Sequence, residues 1–100
     1  MKTKKSTSTD LEHLASMFQT IGDANRMRIL CRIFVTKNAC VSDIAEGLGL
    51  SVAVTSYHLK ALADEGLLEP KRDGKRVCYA PAKTTMFSDI KKLICRHSNI

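Results

Sequence analysis

The stretch VSDIAEGLGLSVAVTSYHLKALADEGLL, Val41 to Leu68, decides how this sequence folds. Ile44, Ala45 and Leu48 recur at helical spacing behind Ser42, which is placed to cap, and Gly49 stands where a left-handed residue closes a helix of about two turns. Ser51 then caps a second helix that runs to Gly66, so two helices joined by a tight glycine-containing turn make a helix-turn-helix. On a wheel of about 100° per residue, Val52, Thr55, Leu59 and Leu62 share the inward face of the second helix, while Ala53, Ser56, Tyr57, Lys60 and Asp64 point outward or sideways. That outward face is small near its start, hydrogen-bonding in its middle and cationic beyond, which suits a helix whose N-terminal half approaches base edges in a major groove. A merely solvated face is the plain alternative. His58 borders the buried stripe, and a hydrogen-bonded place in the core leads its other readings, a base contact or a metal ligand.

Downstream, KRDGKRVCYA (Lys71 to Ala80) holds the turn signal Asp73-Gly74 between two short extended runs, a β-hairpin. Lys71, Arg72, Lys75 and Arg76 surround its tip, where cations reach phosphates and read no sequence. Alternation sets Val77 and Tyr79 on one face and Cys78 on the other, the more accessible one. A last helix follows in KTTMFSDIKKLICRH, with Met86 or Phe87, Ile90, Leu93 and Ile94 apolar. Upstream, Asp23 caps a helix in DANRMRILCRIFV with Met27, Leu30, Cys31 and Phe34 on its face. Before it, Asp10 caps LEHLASMFQTI, whose apolar face is Leu11, Leu14, Ala15, Phe18 and Ile21, and Gly22 ends it. Residues 1–9 are too polar to pack and read as a disordered basic arm, leaving 10–97 as one domain that is mainly α with a small hairpin.

The 100 residues, 44% hydrophobic, suffice for one modest core that dimerisation would help to bury. Sixteen Lys and Arg against 10 Asp and Glu, net +6, suit a polyanionic partner. The basic start lacks an apolar stretch behind it and nothing approaches the ~18 residues of a membrane span, so a cytoplasmic protein is expected, with no membrane partner. Cys31, Cys40, Cys78 and Cys95 lie far apart without a C-x-x-C pair, which removes zinc-ribbon and thioredoxin-like readings and leaves four free thiols in a reducing compartment. No carboxylate pair, nucleophile-base spacing or phosphate loop supports an enzyme. A winged helix that binds protein rather than DNA is the reading of another class, and it leaves the basic hairpin without a purpose.

Taken together, DANRMRILCRI, VSDIAEGLGLSVAVTSYHLKALADEGLL and KRDGKRVCYA resemble the ArsR/SmtB family of winged helix-turn-helix repressors over roughly residues 10–97. The most specific part is Ser51, Ser56, His58, Leu59, Leu62, Gly66 and Leu67, supported by the glycine-centred wing. The resemblance implies a homodimer, joined largely by its first and last helices, that binds double-stranded operator DNA and is released by an inducer. Ser51, Ala53, Ser56, Tyr57 and Lys60 on the recognition helix, with Arg72, Lys75 and Arg76 on the wing, are the DNA contacts expected of this chain. Tyr57 stands where members often carry Gln, which leaves the base preference open.

The family's metal sites fit poorly. CVSD has Cys40 but Ser42 in place of a second thiolate, and the last helix offers Asp89, Lys91 and His97 rather than the Asp/His set of the zinc site. The persulfide- or thiol-oxidation-responsive, BigR/SqrR/YgaV-like subgroup resembles the chain better, because Cys31 in RILCRI and Cys95 in KKLICRH match its two cysteines. The segment between Tyr79 and Cys95 is two to three residues shorter than in that subgroup, roughly 4 Å of helix. Arg28, Arg32 and Arg96 lie near enough in sequence to stabilise a thiolate. The expected switch is therefore the Cys31–Cys95 pair with no metal cofactor. The alternative is an arsenite or soft-metal site built from Cys40, Cys78 and Cys95.

Overall fold

A computed structural model describes residues 2–97 of the chain, with side chains described over 10–97. Its elements run α1 (Lys2–Ile21), α2 (Ala24–Thr36), β1 (Ala39–Cys40), α3 (Val41–Leu48), α4 (Val52–Asp64), β2 (Leu68–Asp73), β3 (Arg76–Pro81) and α5 (Thr85–Arg96). This is the mainly α, winged helix-turn-helix architecture read from the sequence. Asp10, however, lies inside α1 rather than capping it. Neither Pro nor Gly interrupts the chain before it, and extending a helix costs far less than nucleating one. The expected basic arm at 1–9 falls outside the residues whose side chains are described.

The centre of the domain is α2. Asp23 caps it as expected, its carboxylate accepting the backbone N–H of Arg26 at 3.0 Å. Ile29, Leu30 and Ile33 are wholly buried and meet Ile44 of α3, Leu59 and Leu62 of α4, and Leu67. Burying each such side chain contributes about 1.5–3 kcal/mol. Phe34 packs edge-on against Phe87 of α5, ring centres 5.1 Å apart, which fixes the last helix across α2. Among the described side chains of α1 only Met17 and Ile21 are buried in this core, whereas Leu11, Ala15 and Phe18 of the apolar face read from the sequence are exposed. Met27 and Leu93 are also exposed, leaving α1, α2 and α5 with apolar side chains outside the core.

Ser42 is not the cap of α3. Cys40 holds that position in extended conformation without a side-chain hydrogen bond, because the chain enters α3 directly from β1. Those two residues, Ala39 and Cys40, pair antiparallel with Tyr79 and Cys78, so the expected hairpin is a three-stranded sheet ordered β1-β3-β2. As its central strand, β3 is covered on both faces toward its C-terminal half. Cys78 is therefore only 1% exposed, not the accessible residue that alternation predicted, and it is disulfide-bonded to Cys40. Of the four expected free thiols, Cys31 and Cys95 remain. At the wing tip Gly74 takes φ 66°, a conformation that favours glycine.

Candidate nucleic-acid interface

The turn between α3 and α4 is built as the sequence indicated. Gly49 adopts φ 70°, Leu50 N–H donates to the Ala45 carbonyl at 2.9 Å, and Ser51 Oγ accepts the N–H of Val54 at 3.1 Å. Ser51 thus spends its hydroxyl on the helix start. Thr55, Leu59 and Leu62 seal the inner face of α4, but Val52, placed there by periodicity, is exposed in the first turn, as is Val54. Thr55 Oγ1 has no hydrogen-bond partner among the described residues.

Ala53 and Lys60 are exposed, Ser56 is half-buried and Tyr57 is 66% exposed, so all four project from the helix side away from the core. Val52 and Ser56 line an open groove of about 270 Å³ together with Cys40, Val41 and Ser42 at the start of α3 and Arg76 and Val77 of β3. The helix and the wing thereby border one concave surface. Arg72, Lys75 and Arg76 are all exposed. Arg76 is already engaged, however: its guanidinium donates to Asp43 of α3 at 2.6 Å.

One positioning residue was not singled out in the sequence. Arg26 donates from Nε to His58 Nδ1 at 3.0 Å and from a terminal nitrogen to the Thr20 carbonyl at 3.1 Å, and its guanidinium lies 5.7 Å from the centre of the Tyr57 ring. His58 is buried and hydrogen-bonded, the first of its expected roles, and its ring meets Tyr57 edge-on. Asp23 beside it has its carboxyl held below the ordinary value, chiefly by the backbone N–H of Arg26, with the Asn25 N–H and the Arg26 charge adding to it, against some desolvation. Arg26 carried a faint signal, being the cation next to the cap of the central helix.

The cysteines divide into two sites. Cys31 lines an apolar cavity of about 520 Å³ between α1, α2 and α5, with Arg28 and His97 at its edge. Cys95, also half-buried, packs against the core from α5 and shares no bond with Cys31. Cys40 and Cys78 lie at the base of the wing with Asp73, their donor atoms all within 4.8 Å of one another. Among the described residues this is the one such cluster, and it holds Asp73 where the soft-metal alternative had Cys95.

Comparison with known proteins agrees with this geometry. Residues 23–69 match the family described as bacterial regulatory protein, arsR family. A cadmium resistance transcriptional regulatory protein, CadC, of Listeria innocua is 36% identical over 70 residues, 70% of this chain and 59% of its own length. The chain thus spans well under two thirds of that relative. The HTH-type transcriptional regulator YgaV of Escherichia coli K12 is 28% identical over 87 residues, covering 84% of this chain and 88% of its own. The homodimeric winged helix-turn-helix DNA-binding domain of Mb0332 from Mycobacterium bovis, described as a possible ArsR-family regulator, superposes with TM-score 0.74 at 26% identity, over 90% of this chain and 79% of that one. Residues 23–69 are thus similar to the helix-turn-helix of the arsR family of bacterial regulatory proteins, and the chain sets that segment in a winged-helix fold.

Proposed function

We propose that this protein is a homodimeric transcriptional repressor that places α4 of each subunit in a major groove of operator DNA and sets its wings on the flanking phosphates. The observation that carries this is the shared concave surface, on which Ser56 of the recognition helix and Arg76 of the wing line one groove. Side chains that hydrogen-bond base edges and cations that neutralise phosphate are needed side by side for specific binding. The homodimeric state of the Mycobacterium bovis domain supports a dimer, as do Phe18 and Leu93, each about half exposed on α1 and α5. No described helix is long and apolar enough to cross a membrane.

The inducing signal in this reading is thiol-directed, sulfane sulfur or an oxidant acting on Cys31 and Cys95. Both are free thiols, both are half-buried, and they sit on helices that pack together. A reacted pair pins α2 to α5 and shifts the apolar face on which the two subunits meet. The cavity beside Cys31, which Arg28 also lines, supplies access. Selection from a randomised duplex library tests the first part, with an inverted repeat of half-sites about 10 bp apart expected. Cys31→Ser and Cys95→Ser variants test the second: each binds DNA as the reduced parent does and no longer releases it with polysulfide. Release that persists in both variants refutes the assignment.

A further inference from the structure

We propose that Cys40, Cys78 and Asp73 form a binding site for a thiophilic divalent cation of the zinc and cadmium kind, and that the disulfide between the same two sulfurs is its competing, closed state. The site lies at the junction of all three strands: Cys40 ends β1, Cys78 is its direct cross-strand partner on β3, and Asp73 ends β2. Two sulfurs and a carboxylate lie within 4.8 Å of one another. Two soft donors with one hard donor suit Zn²⁺ and Cd²⁺, and three protein ligands leave a coordination position for water or a further donor.

Its surroundings supply the other requirements. Cys40 lines the open groove between α4 and the wing, which gives an ion an approach. Cys40 stands as N-cap of α3 and its side chain makes no capping hydrogen bond, so its sulfur is not spent on the helix start. Asp73 is exposed, and its carboxylate has no hydrogen bond or ion pair among the described residues. Lys71, Arg72 and Lys75 on the wing oppose cation accumulation, so bonds to sulfur rather than long-range attraction carry the affinity.

The exchange balances. A dithiol reductant gives two electrons and two protons to the Cys40–Cys78 bond and becomes a disulfide itself, leaving two thiols. Binding M²⁺ then releases their two protons. The sulfurs must move apart to about 3.8 Å, the spacing of two thiolates at 2.3 Å on a tetrahedral ion, which side-chain rotation supplies. A peroxide rebuilds the bridge and expels the ion: it takes the two electrons from the two thiolates and, with two protons from solvent, is reduced to two waters or to water and an alcohol. The groove against α4 shares Cys40 with this site, so the two states bear on the surface beside Ser56.

The test titrates Cd²⁺, and separately Zn²⁺ in competition with a chromophoric chelator, into the full chain after reduction and removal of the reductant. The ultraviolet thiolate-to-cadmium charge-transfer band reports ligation, and non-denaturing mass spectrometry reports stoichiometry. The reduced chain is expected to take one ion per subunit and the disulfide form none. Asp73→Asn, a surface change that leaves the core untouched, should weaken binding by about tenfold or more. Cys78→Ser should abolish the band, while the Cys31→Ser/Cys95→Ser double variant should keep it. A band that persists in Cys78→Ser or disappears in the Cys31/Cys95 double variant overturns the site. So does an Asp73→Asn variant, folded by circular dichroism, that binds as tightly as the parent. None of these readouts uses DNA, so the site can stand or fall apart from the repressor reading.

Discussion

The ion pair between Arg76 and Asp43 offers a sharp test of the wing. Its partners are 49% and 63% exposed, so it contributes no more than about 1 kcal/mol to the fold, and Asp43→Asn should unfold nothing. Its larger effect is on DNA, because a guanidinium held at 2.6 Å by a carboxylate is a poor partner for phosphate. Freeing it adds up to one phosphate contact per subunit, two per dimer, and each contact steepens the plot of log affinity against log salt by about 0.9. The slope should therefore grow by up to about 1.8. Between 50 and 200 mM salt, the variant's affinity would then fall by about twelvefold more than the parent's. Fluorescence anisotropy on a random-sequence duplex measures this without knowledge of the operator. Loss of a negative charge near DNA would tighten binding by itself, so the decisive comparison is on an Arg76→Ala background, where Asp43→Asn should leave the slope unchanged. An equal slope change with and without Arg76 refutes the reasoning.

Three further outcomes are expected. Replacing Ser56 with Ala or Tyr57 with Phe should alter base preference by roughly 1–3 kcal/mol at one position per half-site and leave the salt slope unchanged, as measured by binding to single-base operator variants. Phe18→Glu places a charge on the exposed apolar face of α1 and should give a folded monomer in sedimentation at concentrations where the parent is dimeric. Because the Asp23 carboxyl is held below its ordinary value of 3.8, its cap contributes fully above that pH and is lost as pH falls through the lower folded value. Asp23→Asn should accordingly flatten the acid limb of stability, followed by urea unfolding from pH 5 down to about 2.

The helices and the wing turn were legible because their signals are local: Asp23, Ser51, Gly49 and Gly74 each do at their own position what their chemistry predicts. The errors arose where distant segments meet. Nothing near Cys78 reveals that a two-residue strand 38 positions earlier covers it, and once β3 becomes central its alternation no longer sorts inside from outside. The same strand moved the cap of α3 from Ser42 to Cys40. Val52 follows the inward period but sits in the first turn of α4, where it lines the open groove beside the start of α3 instead of the core. Of the residues proposed to contact DNA, Ser56, Tyr57 and Lys60 were placed on the outer side of α4 by the wheel and lie there, whereas the engagement of Arg76 with Asp43 required the fold. The role of Arg26 was hidden for a like reason, since its partners belong to α1 and α4.

That arginine makes the domain behave as a linkage with a single pin. Its planar, rigid guanidinium joins the last turn of α1 at Thr20 to the middle of the recognition helix at His58, with Tyr57 against its side. Because Nε donates, His58 must keep a lone pair on Nδ1, so the pin also selects one tautomer of the ring. Any rotation of the α1 face relative to α4 has to strain or break one of these bonds. The exposed apolar side of α1 and the outer side of α4 are thus mechanically geared through one side chain, and they do not move independently while it holds.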